Sequence, residues 1–434
     1  MSLISRASAP AAAHTTADLI SALLRDPRRP GRRDLFTPPR PAGGSSPLPT
    51  GPTGLGSSAA RIPARFLGHA LSAADATAAG SAVRERSLRL PGGPTGLGSS
   101  AARLGGRTPS SGSSPQGPVL HCPPAVRDDP ALGEEVNERL VTWAEEVGIY
   151  PGQLDRVRSC DFGRLIMLAH PETDDPDRLL AAARCALSEW AVDDHYVDGE
   201  VEEARPELLG RRLAIAHSVI DQAHLPRAYA PQLEEVVRKD PVVVALRSAL
   251  DNLAHYATTT QMRRLRHELA IMFVAYNQEA VWHTARQTPP VWEFLMHRHE
   301  NSFVPCMVLV DAVAGYELPQ AEFADPRVRR VFTLAGSASV IVNDLYSMGK
   351  EDPTDFSLPR LIAVEEQCSL DEAVERTVEI HDELMHAYEA EAAALAATGS
   401  PALARFLAGV WAWMGGSREW HAGSARYHTT AGTA

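Results

Sequence analysis

The chain has 434 residues, 44% of them apolar and 22% charged, with a formal net charge of −12. That balance supports a sizeable buried core in one large domain or two ordinary ones, and no apolar run reaches the roughly 18 residues that a membrane helix needs. The charge is divided unevenly: residues 1–117 hold 14 arginines, no lysine and 5 acidic residues for a net of +9, whereas the remainder carries −21 and every tryptophan and tyrosine.

Residues 1–117 are crowded with Pro, Gly, Ser and Ala, as in "TPPRPAGGSSPLPTGPTG", and the segment "GPTGLGSSAAR" occurs at 51–61 and again at 93–103. One duplication is too little for a solenoid, which needs at least three stacked units. With few aromatics to bury, this stretch is expected to be a disordered arm. Its arginines are dispersed, without a dense basic run or interleaved aromatics, so no nucleic-acid binding is expected. The N-terminus lacks a cationic segment followed by an apolar one, so no secretory leader is expected. Five scattered cysteines, Cys122, Cys160, Cys185, Cys306 and Cys368, form no CxxC pair. That usage predicts reduced thiols in a cytoplasmic protein, not a disulfide framework or zinc site.

From 118 onward the pattern has helical period. "EEVNERLVTWAEEVGI" sets Val136, Leu140, Trp143 and Val147 on one stripe, with acids opposite. "PDRLLAAARCALSEWAVDD" opens on Pro176, a favoured first-turn residue, and repeats Leu179, Ala183, Ala186 and Trp190. Further helices are predicted near 209–223, 230–238, 241–256, 260–284, 290–314, 327–350, 369–396 and 401–426. No run of β-branched alternation with hairpin turns appears, so residues 118–434 are read as a single all-α domain.

Two polar clusters interrupt this pattern. "AVDDHYVDGEVEE" places Asp193, Asp194 and Asp198 directly after an apolar face. Carboxylates at a helix C-terminus oppose the helix dipole, an arrangement that bound metal ions would relieve; an acidic helix end running into an acidic loop is the alternative. "IVNDLYSMGKE" spaces Asn343, Ser347 and Glu351 four apart, within an arc of roughly 80° on a helix. An amide carbonyl, a hydroxyl and a carboxylate in one row suit a hard, partly hydrated divalent cation such as Mg2+; a solvent-facing polar edge would have the same spacing.

Taken together, "DDHYVD" and, 150 residues later, "NDLYSMGKE" resemble the paired metal motifs of class I terpene cyclases. The resemblance covers 118–434. Arg298, 45 residues before Asn343, sits where such cyclases carry a diphosphate-sensing arginine, and "ARY" at 425–427 is similar to their Arg-Tyr pair. The planar guanidinium fork suits phosphate oxygens.

The resemblance implies a class I terpenoid synthase helical bundle around an apolar cavity. It implies three Mg2+ ions held with diphosphate between Asp193, Asp194 and Asp198 on one side and Asn343, Ser347 and Glu351 on the other. Arg298, Lys350, Arg426 and Tyr427 would bind the leaving group. Trp190, Phe273, Tyr276, Trp282, Phe303, Trp411 and Trp413 are candidates to line the cavity. The long arm and the "NSFVPCM" region are similar to bacterial members that act on 2-methylgeranyl diphosphate and quench the final cation with water. Such a substrate implies a C-methyltransferase acting on geranyl diphosphate, and a homodimer is compatible with the family. Cyclases that make methylenebornane or use farnesyl diphosphate remain as alternatives.

Overall fold

The computed structural model describes residues 118–197, 201, 205–349 and 355–427. The predicted arm, and Asp198, Lys350 and Glu351 of the motifs, lie outside the described residues.

Among the described residues there is no strand. The longer helices in chain order are α1 (Pro130–Val147), α2 (Leu154–Cys160), α3 (Phe162–Ala169), α4 (Pro176–Val192), α5 (Pro206–Ile220), α6 (Ala230–Lys239) and α7 (Pro241–Leu253). They continue as α8 (Thr259–Ala285), α9 (Val291–Glu300), α10 (Pro326–Ser347), α11 (Leu358–Glu365), α12 (Leu370–Thr398) and α13 (Pro401–Gly423). No helix among these residues is long and apolar enough to cross a membrane.

Five of these helices start in the same way. Asp129, Asp175, Asp240, Asp325 and Ser400 each precede a proline, and each side chain accepts a hydrogen bond from a first-turn amide. The cap satisfies an N–H that has no partner inside the helix, and the following Pro gives up none.

The core runs through the middle of the bundle. Helix α10 packs on α12 and α13, α4 packs on α7, and α3 lies between α1 and α13. Two glycines allow the closest of these approaches. A Cβ at Gly163 of α3 would overlap the backbone of α1 at Gly133 and Asn137, and one at Gly416 of α13 would overlap the backbone of α3 at Leu168 and Ala169.

Two differences from the sequence reading affect the site. The helix predicted over 290–314 ends at Glu300; residues 301–303 are irregular, and short turns follow at Val304–Met307 and Val310–Val313. Pro305 lacks an N–H, and its ring would clash with the carbonyl of Asn301 in a continuous helix. The aspartate-rich end of α4 is a π turn, Asp193–Val197, in place of further α-helix, and such wider turns occur often at functional sites. Helices α2, α3 and α11 are too short to show a clear period.

Candidate active site

A cavity of about 390 Å³ opens between α4 with its π turn, α8, α9, α10 and a terminal 3-10 turn, Ala425–Tyr427. Both motifs reach it. Asp193 of the π turn and Asn343 and Ser347 of α10 line it, as do Arg298, Arg426 and Tyr427.

Helix register explains the second motif: Val340, Asn343 and Ser347 follow the cavity-facing stripe of α10, while Ile341, Val342 and Leu345 are buried in the bundle. The amide of Asn343 is fixed by two neighbours. Its Nδ2 lies 3.0 Å from the Tyr427 hydroxyl and 3.3 Å from His421 Nε2. His421 Nδ1 is 2.8 Å from the Ser417 carbonyl, so Nδ1 carries the proton. Burial holds this imidazole down at about 4, with the Ser417 carbonyl opposing. The ring is therefore neutral, and its Nε2 accepts from Asn343. Oδ1 of Asn343 consequently turns away from both neighbours. Ser347 is buried, and its Oγ has no hydrogen-bond partner.

The two adjacent aspartates part company in the π turn. Asp193 lines the cavity. Asp194 is buried, and its oxygens accept from the Tyr150 hydroxyl at 2.7 Å and Arg426 Nη2 at 3.0 Å, with Arg156 at 3.7 Å. Burial alone would raise this carboxyl, but the charge and hydrogen bond of Arg426 and the bond from Tyr150 leave it below the ordinary value. Asp194 thus joins the π turn to the C-terminal 3-10 turn.

Arg298 reaches the cavity from α9 and donates from Nη2 to Asp344 Oδ1 at 2.5 Å, while its guanidinium lies over the Phe294 ring. Asp344, the neighbour of Asn343, is fully buried; burial raises its carboxyl and Arg298 opposes that. Beside it, Glu279 lines the cavity 3.3 Å from His297. Burial would raise Glu279, but His283 and His297 together with Arg298 hold it well below the usual carboxylate range.

Of the aromatic candidates, Trp190, Tyr276 and Phe303 line the cavity, and Trp190 and Phe303 stack at 5.4 Å. Phe273, Trp282, Trp411 and Trp413 are buried elsewhere in the bundle. Sequence reasoning missed Glu189, Glu279, His283, Asp355 and Phe356, all of which line the cavity. Glu279 and His283 are spaced i, i+4 on α8, a signal that only a known cavity face would make readable.

Among the described residues no three His, Cys, Asp or Glu side chains converge on a metal position. From the two motifs the described residues bring instead the carboxylate of Asp193, the amide carbonyl of Asn343 and the unpartnered hydroxyl of Ser347 to one cavity. That is a donor set for Mg2+ that keeps waters and takes its remaining oxygens from a phosphate ligand.

Comparison with known proteins agrees with this geometry. Residues 185–387 match the family described as terpene synthase family 2, C-terminal metal binding. A 2-methylisoborneol synthase of Streptomyces ambofaciens is 42% identical over 313 residues, 70% of each chain. One from Saccharopolyspora erythraea is 37% identical over 321 residues, 71% of this chain and 89% of the relative. The crystal structure of 2-methylisoborneol synthase from Streptomyces coelicolor in complex with Mg2+ and geranyl-S-thiolodiphosphate superposes with a TM-score of 0.68 at 39% identity, over 73% of this chain and 99% of that one. With this fold, these paired motif walls and these relatives, the chain belongs to the class I terpene synthase family.

Proposed function

We propose that the protein converts (E)-2-methylgeranyl diphosphate and water to 2-methylisoborneol and diphosphate. The carrying observation is the cavity itself. Asp193 of the first motif and Asn343 and Ser347 of the second line it together with Trp190, Tyr276 and Phe303. Its volume of about 390 Å³ is near the lower end of the usual range for small-molecule pockets, about 300–1,000 Å³, which favours a ten-carbon skeleton over a longer one. The similarity to 2-methylisoborneol synthases supplies the methyl group of the substrate.

Asp193, Asn343 and Ser347, joined by Asp198 and Glu351 from the same motifs, would hold Mg2+, in the proposal three ions; Asp194 acts on the site through Arg426. Bound there, Mg2+ supplies Lewis-acid neutralisation of the leaving diphosphate. Arg298, Arg426, Tyr427 and Lys350 add charge-assisted donors to the same oxygens. The faces of Trp190, Phe303 and Tyr276 stabilise the allylic cation and its cyclised successors, and substrate filling the cavity keeps bulk water from quenching them early.

The catalytic unit in this reading is 118–434, so removal of residues 1–110 leaves an active enzyme. The substrate comes from a C-methyltransferase acting on geranyl diphosphate. The five thiols support a reducing, cytoplasmic setting.

The test is competition among geranyl, 2-methylgeranyl and farnesyl diphosphates with Mg2+, with the volatile products identified. The methylated substrate should have the highest kcat/KM and give the tertiary alcohol. An equal or higher value for geranyl diphosphate overturns the assignment; farnesyl preference indicates a sesquiterpene synthase, and purely olefinic methylated products indicate a methylenebornane-type cyclase.

A further inference from the structure

One carboxyl at the cavity wall has no part in holding metal or diphosphate. Glu189 lies on α4 four residues before Asp193, about 6 Å back along the helix from the metal face. It lines the cavity although only 5% of it is exposed. Its neighbours are the hydrophobic end of the site. Trp190 follows it in sequence and stacks on Phe303, and Oε2 accepts the thiol of Cys306 at 2.9 Å. The other oxygen, Oε1, is buried with no hydrogen-bond partner.

A buried carboxyl oxygen without a partner is costly, by about 1–3 kcal/mol, and its presence at a cavity wall calls for a ligand that satisfies it. Ser302 provides a second such atom. It also lines the cavity, and its Oγ is buried and unpartnered. Ser302 directly precedes Phe303, which stacks on Trp190, and Cys306, which donates to Glu189, lies four residues further on. A water enclosed in a protein needs at least two polar partners, and Glu189 Oε1 and Ser302 Oγ are two unpartnered buried oxygens lining the same cavity.

We propose that Glu189 holds the water that captures the last carbocation of the cyclisation and accepts its proton, an inference that rests on the alcohol-forming reading above. In the step, a lone pair of the water oxygen forms the C–O bond to the tertiary cationic carbon. One O–H bond breaks, and that proton passes to Oε1 of the Glu189 carboxylate, leaving the neutral alcohol and the neutral acid. Burial pushes this carboxyl up to about 8, the Cys306 thiol opposing, so near neutral pH the neutral acid predominates and the minority anion is a stronger base than an ordinary glutamate. A cation in the cavity favours that anion. Among the other acids lining the cavity, Glu279 is held by His283 and His297, and Asp193 belongs to the proposed metal set.

The experiment compares wild type with Glu189→Leu, Glu189→Gln and Glu189→Asp on 2-methylgeranyl diphosphate with Mg2+. The ratio of alcohol to methylated olefin is read among the molecules turned over, so a lower overall rate does not affect it. The proposal expects the ratio to fall at least about tenfold in the Leu and Gln variants, and Asp to recover part of it. Gln is nearly isosteric and can still accept the Cys306 thiol, so it serves as the conservative variant where Leu disrupts packing. Alcohol from wild type with an unchanged ratio in the folded Gln variant overturns the role of Glu189 alone. Olefins only from wild type overturn the product reading and this proposal with it.

Discussion

Arg426 and Asp194 form a buried ion pair at 3.0 Å between residues 232 apart in sequence. The pair fastens the C-terminal 3-10 turn to the π turn of the aspartate-rich motif. Removing one partner of such a pair leaves an uncompensated buried charge, which costs about 3–5 kcal/mol. Arg426→Met should therefore lower the unfolding free energy by about that much as well as remove activity. Pairing it with Asp194→Leu should recover much of the stability and none of the turnover. Urea unfolding of wild type and the two variants checks this, and a double variant as unstable as the single one contradicts it.

Ser347 presents the opposite case. Its buried Oγ bonds to nothing in the protein, so Ser347→Ala should change stability by less than about 1 kcal/mol. Turnover at limiting Mg2+ should fall strongly, since the hydroxyl is a proposed metal ligand. Asn343→Leu should also lose most activity while staying folded. Full activity in Asn343→Leu at ordinary Mg2+ would remove the metal reading.

His421 acts one step behind the metal. By accepting from Asn343 Nδ2 it keeps the amide oxygen turned away from itself and Tyr427. Loss of such an orienting partner typically weakens metal binding about 10–100-fold. His421→Leu should raise the Mg2+ concentration needed for thermal stabilisation by Mg2+ and diphosphate, and for half-maximal turnover. Equal Mg2+ dependence in both measurements would exclude this orienting role.

His170 gives the pH prediction. It is buried, and burial followed by the Arg127 charge holds it down at about 3. Its folded value lies below the unfolded one, near 6.5. The stability linked to it is complete above that pH and falls as pH drops, by up to about 1.4 kcal/mol per unit. Glu189, raised to about 8, runs the other way and loses stability as pH rises from the ordinary glutamate range. The measurement is thus the difference between wild type and His170→Met from pH 7 to 5, which should shift in the variant's favour on acidification. A difference independent of pH contradicts this.

The parts legible in the sequence were those that a single helix encodes. The stripes of α4, α8, α10, α12 and α13 repeat over many turns, and Asn343 and Ser347 share a face because they lie on one helix. What stayed hidden depends on packing between elements. Tyr150 reaches Asp194 only because the α1–α2 connection meets the π turn, and His421 reaches Asn343 only because α13 packs on α10. Glu189 reads as one more polar residue on α4 until Phe303 and Cys306 are brought against it. The break after Glu300 was written in Pro305, but the apolar period across 290–314 masked it.

The glycine at 416 carries a consequence for how the enzyme tolerates change. It lies one residue before Ser417, whose carbonyl fixes the tautomer of His421, and its missing side chain is what lets α13 sit on the backbone of α3. Any larger residue there would lift α13 and carry His421, Arg426 and Tyr427 with it. A position remote from the substrate therefore behaves as part of the catalytic register, and its mutational tolerance should depend on which residue occupies α3 beneath it. Epistasis between Gly416 and the Leu168–Ala169 end of α3 would be the genetic signature of that contact.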